Sequence, residues 1–250
     1  MSPVKAIGFD FFNTLITIDP GAMSEAFDRL FNSLQGNGIS PEKDIFRKIY
    51  RESAMGFMAA TKVDGRETHN RFWISAALGV LGLKIPPEDD RIARAVEDYF
   101  SAFYDYCRLI PGTKEMLANL KGKYRLGLLS NFTHAPAALR LLEMNGLNIF
   151  FDPILISGAI GYRKPHPLVF GRLVDDLAVD KEGILYVGDD PEPDIFGASQ
   201  AGLRPVWMTY VHDHHVPISA GLGAGQSEHV IPTVPKISNW DEFLNLLPTL

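Results

Sequence analysis

One apolar segment near the start of the chain, Val4 to Phe9, is cut off from every other strand signal by a long stretch, Pro20 to Tyr106, whose hydrophobic residues recur at helical spacing. Beyond that stretch the pattern changes. Tyr124 to Ser130, Pro153 to Ser157, Ile184 to Gly188 and Pro205 to Met208 are short, apolar and closed by polar or glycine-containing turns, as buried strands are. Gly112 to Leu120, Pro136 to Met144, Leu168 to Leu177 and Ile195 to Ala201 instead space their apolar residues three and four apart. Such alternation predicts a parallel sheet with right-handed crossovers, an α/β fold. The early stretch reads as four amphipathic helices, Ala22 to Leu34, Pro41 to Met58, Thr68 to Leu81 and Glu88 to Tyr106, broken at Gly36-Asn37-Gly38, Asp64-Gly65 and Pro86-Pro87. Placed directly after the first strand, this insertion would stand over the carboxyl edge of the sheet as a cap. Trp240 to Leu247, preceded by Asn239 as a cap, reads as a closing helix.

Composition narrows the partners. With 250 residues, 46% hydrophobic and 22% charged, the chain has room for one large core with an inserted module. Its formal charge of -6 would repel a nucleic-acid backbone or an anionic membrane on average, so neither is expected, whereas a local basic pocket for a small anionic molecule is. Cys107 is the single cysteine, which forbids an intrachain disulfide. No charged-then-apolar leader pattern opens the sequence, and no apolar run reaches the roughly 20 residues a membrane helix needs, so the expected location is cytoplasmic. Oligomeric state is not legible.

Polar residues gather at the predicted strand ends. Asp10 closes the first strand, Ser130-Asn131 the second, Arg163-Lys164-Pro165 follows the third, and Gly188-Asp189-Asp190 closes the fourth, with Asp194 shortly after. Each alone reads as a cap or turn. In a parallel sheet, however, these ends share one rim, where open α/β folds place their ligands. Asp10 is then a candidate nucleophile. Lys164 would neutralise it and an incoming anion, and the Ser130 hydroxyl would hold a non-transferring oxygen. Asp189 with Asp194, and Asp190 as a further candidate, offers oxygen donors suited to a hard cation such as Mg²⁺.

Taken together, Asp10-Phe11-Phe12-Asn13-Thr14-Leu15, Pro111-Gly112, Leu128-Leu129-Ser130-Asn131, Lys164-Pro165-His166-Pro167 and Gly188 to Asp194 resemble the motifs of the haloacid dehalogenase-like (HAD) hydrolase superfamily, among members with a helical cap inserted after the first strand. The resemblance implies a Rossmann-like parallel-sheet core from residues 1–16 and 109–250, with an all-helical cap domain from 17–108. It also implies an enzyme whose nucleophile is Asp10, with Ser130 and Lys164 as its catalytic partners and Thr14 and Asn131 touching substrate. Bound Mg²⁺ would be held by Asp10, Asp189, Asp194 and the main-chain carbonyl of Phe12.

Phe12 departs from the phosphatase pattern. Phosphatase members normally carry an aspartate there, which protonates the leaving alcohol and then activates water, help worth roughly 10² to 10⁴ in rate. Dehalogenase members carry an aromatic residue, but they use no metal and lack the acidic motif at Gly188 to Asp194. Three carboxylates within six residues need a cation or extensive hydrogen bonding to coexist, which a metal-free site explains poorly. The expected activity is therefore a Mg²⁺-dependent phosphatase acting on a small phosphorylated metabolite through an aspartyl-phosphate on Asp10. The alternatives are a metal-independent 2-haloacid dehalogenase-type hydrolase, or a catalytically impaired member that binds a ligand or partner. Asp64, Glu67 and His69, in a polar break between cap helices, are candidates for a replacement acid. His212-Asp213-His214-His215 reads as a solvated turn and Gly221 to Gly225 as a loop without chemistry; Trp73 and Phe72 are candidates to line a substrate slot beneath the cap, with cap core the stronger reading of Trp73 at helical spacing from Leu78 and Leu81.

Overall fold

A computed structural model describes residues 2–216 and 233–250; Gly221 to Gly225 lies outside them. The chain runs β1 (Ala6–Phe9), β2 (Ile16–Ile18), α1 (Ala22–Gly36), α2 (Lys43–Asp64), α3 (Asn70–Val80), α4 (Asp90–Tyr106) and β3 (Cys107–Leu109). It continues through α5 (Thr113–Leu120), β4 (Arg125–Ser130), α6 (Ala135–Met144), β5 (Ile154–Ile156), α7 (Ser157–Ile160), α8 (Pro167–Leu177) and β6 (Ile184–Gly188). A π-helical turn, Pro191–Phe196, leads into α9 (Gly197–Gln200), followed by β7 (Arg204–Met208), α10 (Tyr210–Asp213), β8 (Lys236–Ile237) and α11 (Trp240–Leu246). No helix among the described residues is long and apolar enough to cross a membrane.

Six strands pair in parallel in the order β5-β4-β1-β6-β7-β8. The first strand is central because all four of its side chains are buried, a pattern only an interior strand of a two-sided sheet satisfies. From β1 the chain adds strands first on one side and later on the other, so the strand order reverses at β1 and opens a crevice at its carboxyl end. Gly8 keeps that centre tight: a Cβ there would lie 2.9 Å from both Leu173 and Tyr186. On one face, Val169, Phe170, Leu173 and Leu177 of α8 pack with Ala6, Leu129 and Tyr186. On the other, Phe9 meets Phe151, Trp240 and Phe243 edge-on at 6.0 to 6.2 Å.

The helical stretch forms a layer of its own, α1 lying along α4 and α2 along α3. Its starts are set locally. The Glu42 carboxylate accepts the Asp44 and Ile45 amides at the head of α2, Asp89 accepts the Arg91 amide before α4, and Gly65 ends α2 in the left-handed region. An aromatic cluster of Phe27, Phe31, Phe46, Tyr50 and Tyr99 fills its interior. Helix α2 runs six residues past Met58, to Asp64, so Asp64 belongs to its last turn rather than to a loop.

Two further pairings carry no periodic signal. The antiparallel ribbon β2–β3, with Ile16 opposite Leu109 and Ile18 opposite Cys107, joins the points where the chain leaves for the helical layer and returns from it. Strand β8 adds only two residues to the sheet edge.

Candidate active site

Asp10 lies one residue beyond β1, its amide held by the Val187 carbonyl at 2.9 Å. The backbone then turns sharply, with Asn13 at φ 59°, a conformation asparagine tolerates better than most residues. This turn brings Thr14 back so that its hydroxyl donates to Asp10 Oδ2 at 3.3 Å. The Phe12 carbonyl accepts no backbone hydrogen bond among the described residues.

Lys164 arrives from the segment between α7 and α8. Its backbone is clamped by Asn131, whose Oδ1 accepts the Lys164 amide at 2.8 Å while Nδ2 donates to the Lys164 carbonyl at 3.0 Å. The side chain is buried, and Nζ donates to Asp10 Oδ1 at 2.6 Å, Asp194 Oδ1 at 2.6 Å and the Tyr186 hydroxyl at 2.9 Å. All three protons of the ammonium are used. Asp194 is fixed in turn by the Asp190 amide, which donates to its other oxygen at 3.0 Å. Gly188 leaves the room: a Cβ there would sit 2.4 Å from the Asp194 carboxyl carbon.

Asp10, Asp189 and Asp194 each offer an oxygen within 4.8 Å of the others. Four carboxylates, counting Asp190, thus face one ammonium, and the titration of Asp10, Asp189 and Asp190 reflects the imbalance. Burial lifts Asp10 to about 6, with Lys164 opposing and Asp194 adding to the rise. Burial, then Asp10, Asp194 and Asp190, hold Asp189 well above the usual carboxylate range. Burial and Asp194 push Asp190 to about 7. Burial alone would depress Lys164, but Asp10 and Asp194 outweigh it and keep it charged well beyond neutral pH. The donor set fits a divalent cation: all-oxygen, anionic in excess and pre-gathered.

Ser130, at the end of β4, is buried with a hydroxyl that makes no hydrogen bond. It, Asp10, Phe12, Asn131, Lys164, Asp189, Asp190 and Asp194 line one cavity of about 840 Å³. A buried hydroxyl on such a cavity without a protein partner can be matched by a ligand oxygen.

Phe12 is part of an aromatic wedge. It is 8% exposed, stacks on Phe132 at 4.7 Å and 15°, and through Phe132 contacts Phe100 of α4 at 5.1 Å. Of the three acids proposed from the helical layer, only Asp64 lines the cavity. Glu67 turns away to accept the Ser157 hydroxyl at 2.5 Å, with Arg163 3.4 Å from its other oxygen. His69 Nε2 lies 3.0 Å from His134 Nδ1, and His134 Nε2 lies 3.0 Å from Glu97. Both groups therefore hold the helical layer to the sheet domain, assisted by the amides of Glu67 and Arg163, which donate to the carbonyls of Gly161 and Gly65. Neither role had a sequence signal, because the partners lie 65 or more residues apart. Tyr186 was equally hidden, although a tyrosine inside the otherwise aliphatic strand Ile184–Gly188 hinted at a buried polar partner. Trp73 and Phe72 stay out of the cavity, and His212 to His215 are exposed.

A sequence profile described as haloacid dehalogenase-like hydrolase matches residues 4–202. A glyceraldehyde 3-phosphate phosphatase from Pyrococcus abyssi is 30% identical over 129 residues, 51% of this chain and 54% of the relative. The chain thus spans about half the length of such curated relatives. A ribulose-1,5-bisphosphate 5-phosphatase from Halopiger xanaduensis is 26% identical over 240 residues, 94% and 98% of the two chains. Among solved structures, a 2-haloacid dehalogenase from Pseudomonas syringae superposes with TM-score 0.70, and the magnesium-bound HAD-hydrolase YfnB from Bacillus subtilis with 0.63. Both are 21% identical and cover 98% of this chain and 99% of theirs, so they support the fold alone. With the profile spanning most of the sequence and Asp10, Ser130, Lys164 and the acidic turn gathered on one rim, the chain belongs to the haloacid dehalogenase-like hydrolases.

Proposed function

We propose that this hydrolase is a Mg²⁺-dependent phosphatase acting on a small anionic phosphorylated molecule, with residues 17–108 serving as a cap over the sheet's carboxyl rim. The observation that carries the reading is the convergence of Asp10, Asp189 and Asp194 around a single lysine. The phosphatase activities of the curated relatives support it, as does the magnesium bound to YfnB. Mg²⁺ would be held by Asp10, Asp189, Asp194 and the Phe12 carbonyl, and would neutralise phosphate oxygens as charge develops.

In this reading one Asp10 oxygen attacks phosphorus. A bond forms between that oxygen and phosphorus while the bond from phosphorus to the leaving oxygen breaks, and the electron pair departs with the leaving group. Lys164 holds the other Asp10 oxygen at 2.6 Å, fixing the angle of attack. Ser130 donates to a non-transferring oxygen. Water then attacks phosphorus of the aspartyl-phosphate while the bond from phosphorus to the Asp10 oxygen breaks; the electron pair returns to the Asp10 carboxylate, and the proton lost by water is taken by a phosphate oxygen as phosphate departs. No acid side chain stands at Phe12, so a leaving group that departs as a stable anion, as in an aryl or acyl phosphate, suits the site.

Hydrolysis of p-nitrophenyl phosphate with Mg²⁺, abolished in Asp10→Asn, tests this; the absence of turnover across a broad panel of phosphate esters and acyl phosphates overturns it. A second reading rests on Phe12, whose aromatic surroundings match a site that needs no leaving-group acid. Halide release from a 2-haloacid, unchanged by chelation, would establish it instead.

A further inference from the structure

The cavity has two unlike sides. Asp10, Ser130, Lys164 and the acidic turn form its floor, and the last turns of α2 form the opposite wall. There Met55, Met58, Ala59 and Lys62 fall at i, i+3, i+4 and i+7, one stripe of the helix, and all four line the cavity. Beyond Tyr50, α2 buries only Thr61. Met55 is 62% exposed and Val63, beside the stripe, is 89% exposed. Met55 and Ala59 are left exposed, and the Met58 side chain is met at its sulfur by Arg163. The stripe faces a site built for an anion.

Charge separates the wall further. Three cations border the cavity: Lys62, Arg163 and Lys164. Lys164 is fully engaged by Asp10, Asp194 and Tyr186. Arg163 points its guanidinium at Met58 Sδ, 3.2 Å away, and at Glu67. Lys62 is exposed and makes no ion pair or hydrogen bond among the described residues.

We infer that the α2 stripe is the specificity surface of the phosphatase proposed above. It selects a phosphate compound with a flat apolar body, seated on Met55, Met58 and Ala59, that ends in a second anionic group reached by Lys62. The thioethers are suited to such a body, since they adapt to aromatic edges and gain from sulfur–ring contact. Lys62, on a flexible stem, reaches a terminal carboxylate or similar group without demanding bidentate geometry. The absence of a leaving-group acid at Phe12 points the same way, because an aryl oxygen departs as a stabilised anion. The substrate class is a phosphorylated aromatic acid.

Steady-state kinetics with acetyl phosphate, phenyl phosphate and 4-carboxyphenyl phosphate test this in the full chain. Acetyl phosphate is too small to span the cavity and reports the chemistry alone. The wild type should prefer 4-carboxyphenyl over phenyl phosphate by about tenfold in kcat/KM, mainly through KM, and Lys62→Glu should reverse that order. Met58→Gln should lower the ratio of phenyl to acetyl phosphate kcat/KM by about tenfold. Turnover of acetyl phosphate with both ratios unaltered by the two variants overturns the stripe and leaves the phosphatase reading intact. Turnover of acetyl phosphate with neither aryl ester accepted also overturns the stripe alone, whereas no turnover of any of the three, extended to the broader panel of phosphate esters and acyl phosphates, overturns both.

Discussion

Lys164 and Asp10, 154 residues apart in sequence, are joined by a buried 2.6 Å ion pair, and the same ammonium holds Asp194 at the same distance. The lysine is therefore an electrostatic keystone of the fold and, in the phosphatase proposed above, a fixed orienting group for the nucleophile. Replacing it by Met leaves two buried carboxylates facing each other without a counter-charge. We expect Lys164→Met to lose about 3–5 kcal/mol of stability by urea denaturation and at least 10² in kcat. A variant with wild-type stability would contradict the keystone role.

Restoring an aspartate at position 12 is the obvious way to supply the missing acid, but the aromatic wedge opposes it. Phe12→Asp removes a ring stacked on Phe132 and places a carboxyl group beside Phe11 and Phe132. The expected cost is about 3–5 kcal/mol, read as a lowered urea midpoint, because a large buried ring is lost and a polar group takes its place. Phe12→Leu, which keeps the site apolar, should cost less than half as much.

Cation binding can be read without turnover. Mg²⁺ at tenfold its Kd should raise the thermal midpoint by about 3–6 °C, from the free energy of binding to the folded chain alone. Gly188→Ala pushes a methyl group into the space of the Asp194 carboxylate and should abolish that rise, as should Asp189→Asn. An undiminished rise in both variants would move the cation elsewhere.

His69 sets a pH dependence at the junction of the two layers. Burial, helped by His134 and Arg71, lowers its pKa to about 4, below the ordinary value near 6.5. Between those values the unfolded chain binds more protons than the folded one, so stability is complete above about 6.5 and is lost as pH falls toward 4. His134 is lowered as well, by burial against the opposing pull of Glu97, and steepens the decline. His69→Asn, which keeps an acceptor for the Arg71 amide, should flatten the urea-midpoint profile across this window.

Strong local signals were readable in the sequence. Ile184–Gly188 is a strand with the expected bounds, because a four-residue apolar run closed by glycine has few other fates. The strand ends at Asp10, Ser130 and Gly188 share the predicted rim because a parallel sheet leaves them no other place. What escaped has a common cause: it depends on pairings between distant residues. The ribbon at Ile16–Ile18 and Cys107–Leu109 is too short to show alternation. Asn131 lines the cavity, and its side-chain amide also clamps the Lys164 backbone, a pairing 33 residues apart that no local pattern shows. Glu67 and His69 looked like free polar residues of a loop, and only the docking of that loop onto Ser157 and His134 gave them partners.

The ribbon has one more consequence. Because Ile18 stands opposite Cys107 and the next residues close the ladder, the Asp19 amide donating to the Tyr106 carbonyl at 3.0 Å, everything from residue 19 to residue 106 departs and returns at one rung of a ladder. To the six-stranded sheet that whole length is equivalent to a hairpin turn, and exchanging it for a different insert would leave every sheet connection as it is. The helical layer can therefore be exchanged as a single continuous piece of chain with the strand order kept, and the contacts of Glu67, His69 and Phe100 are what a new insert would have to replace.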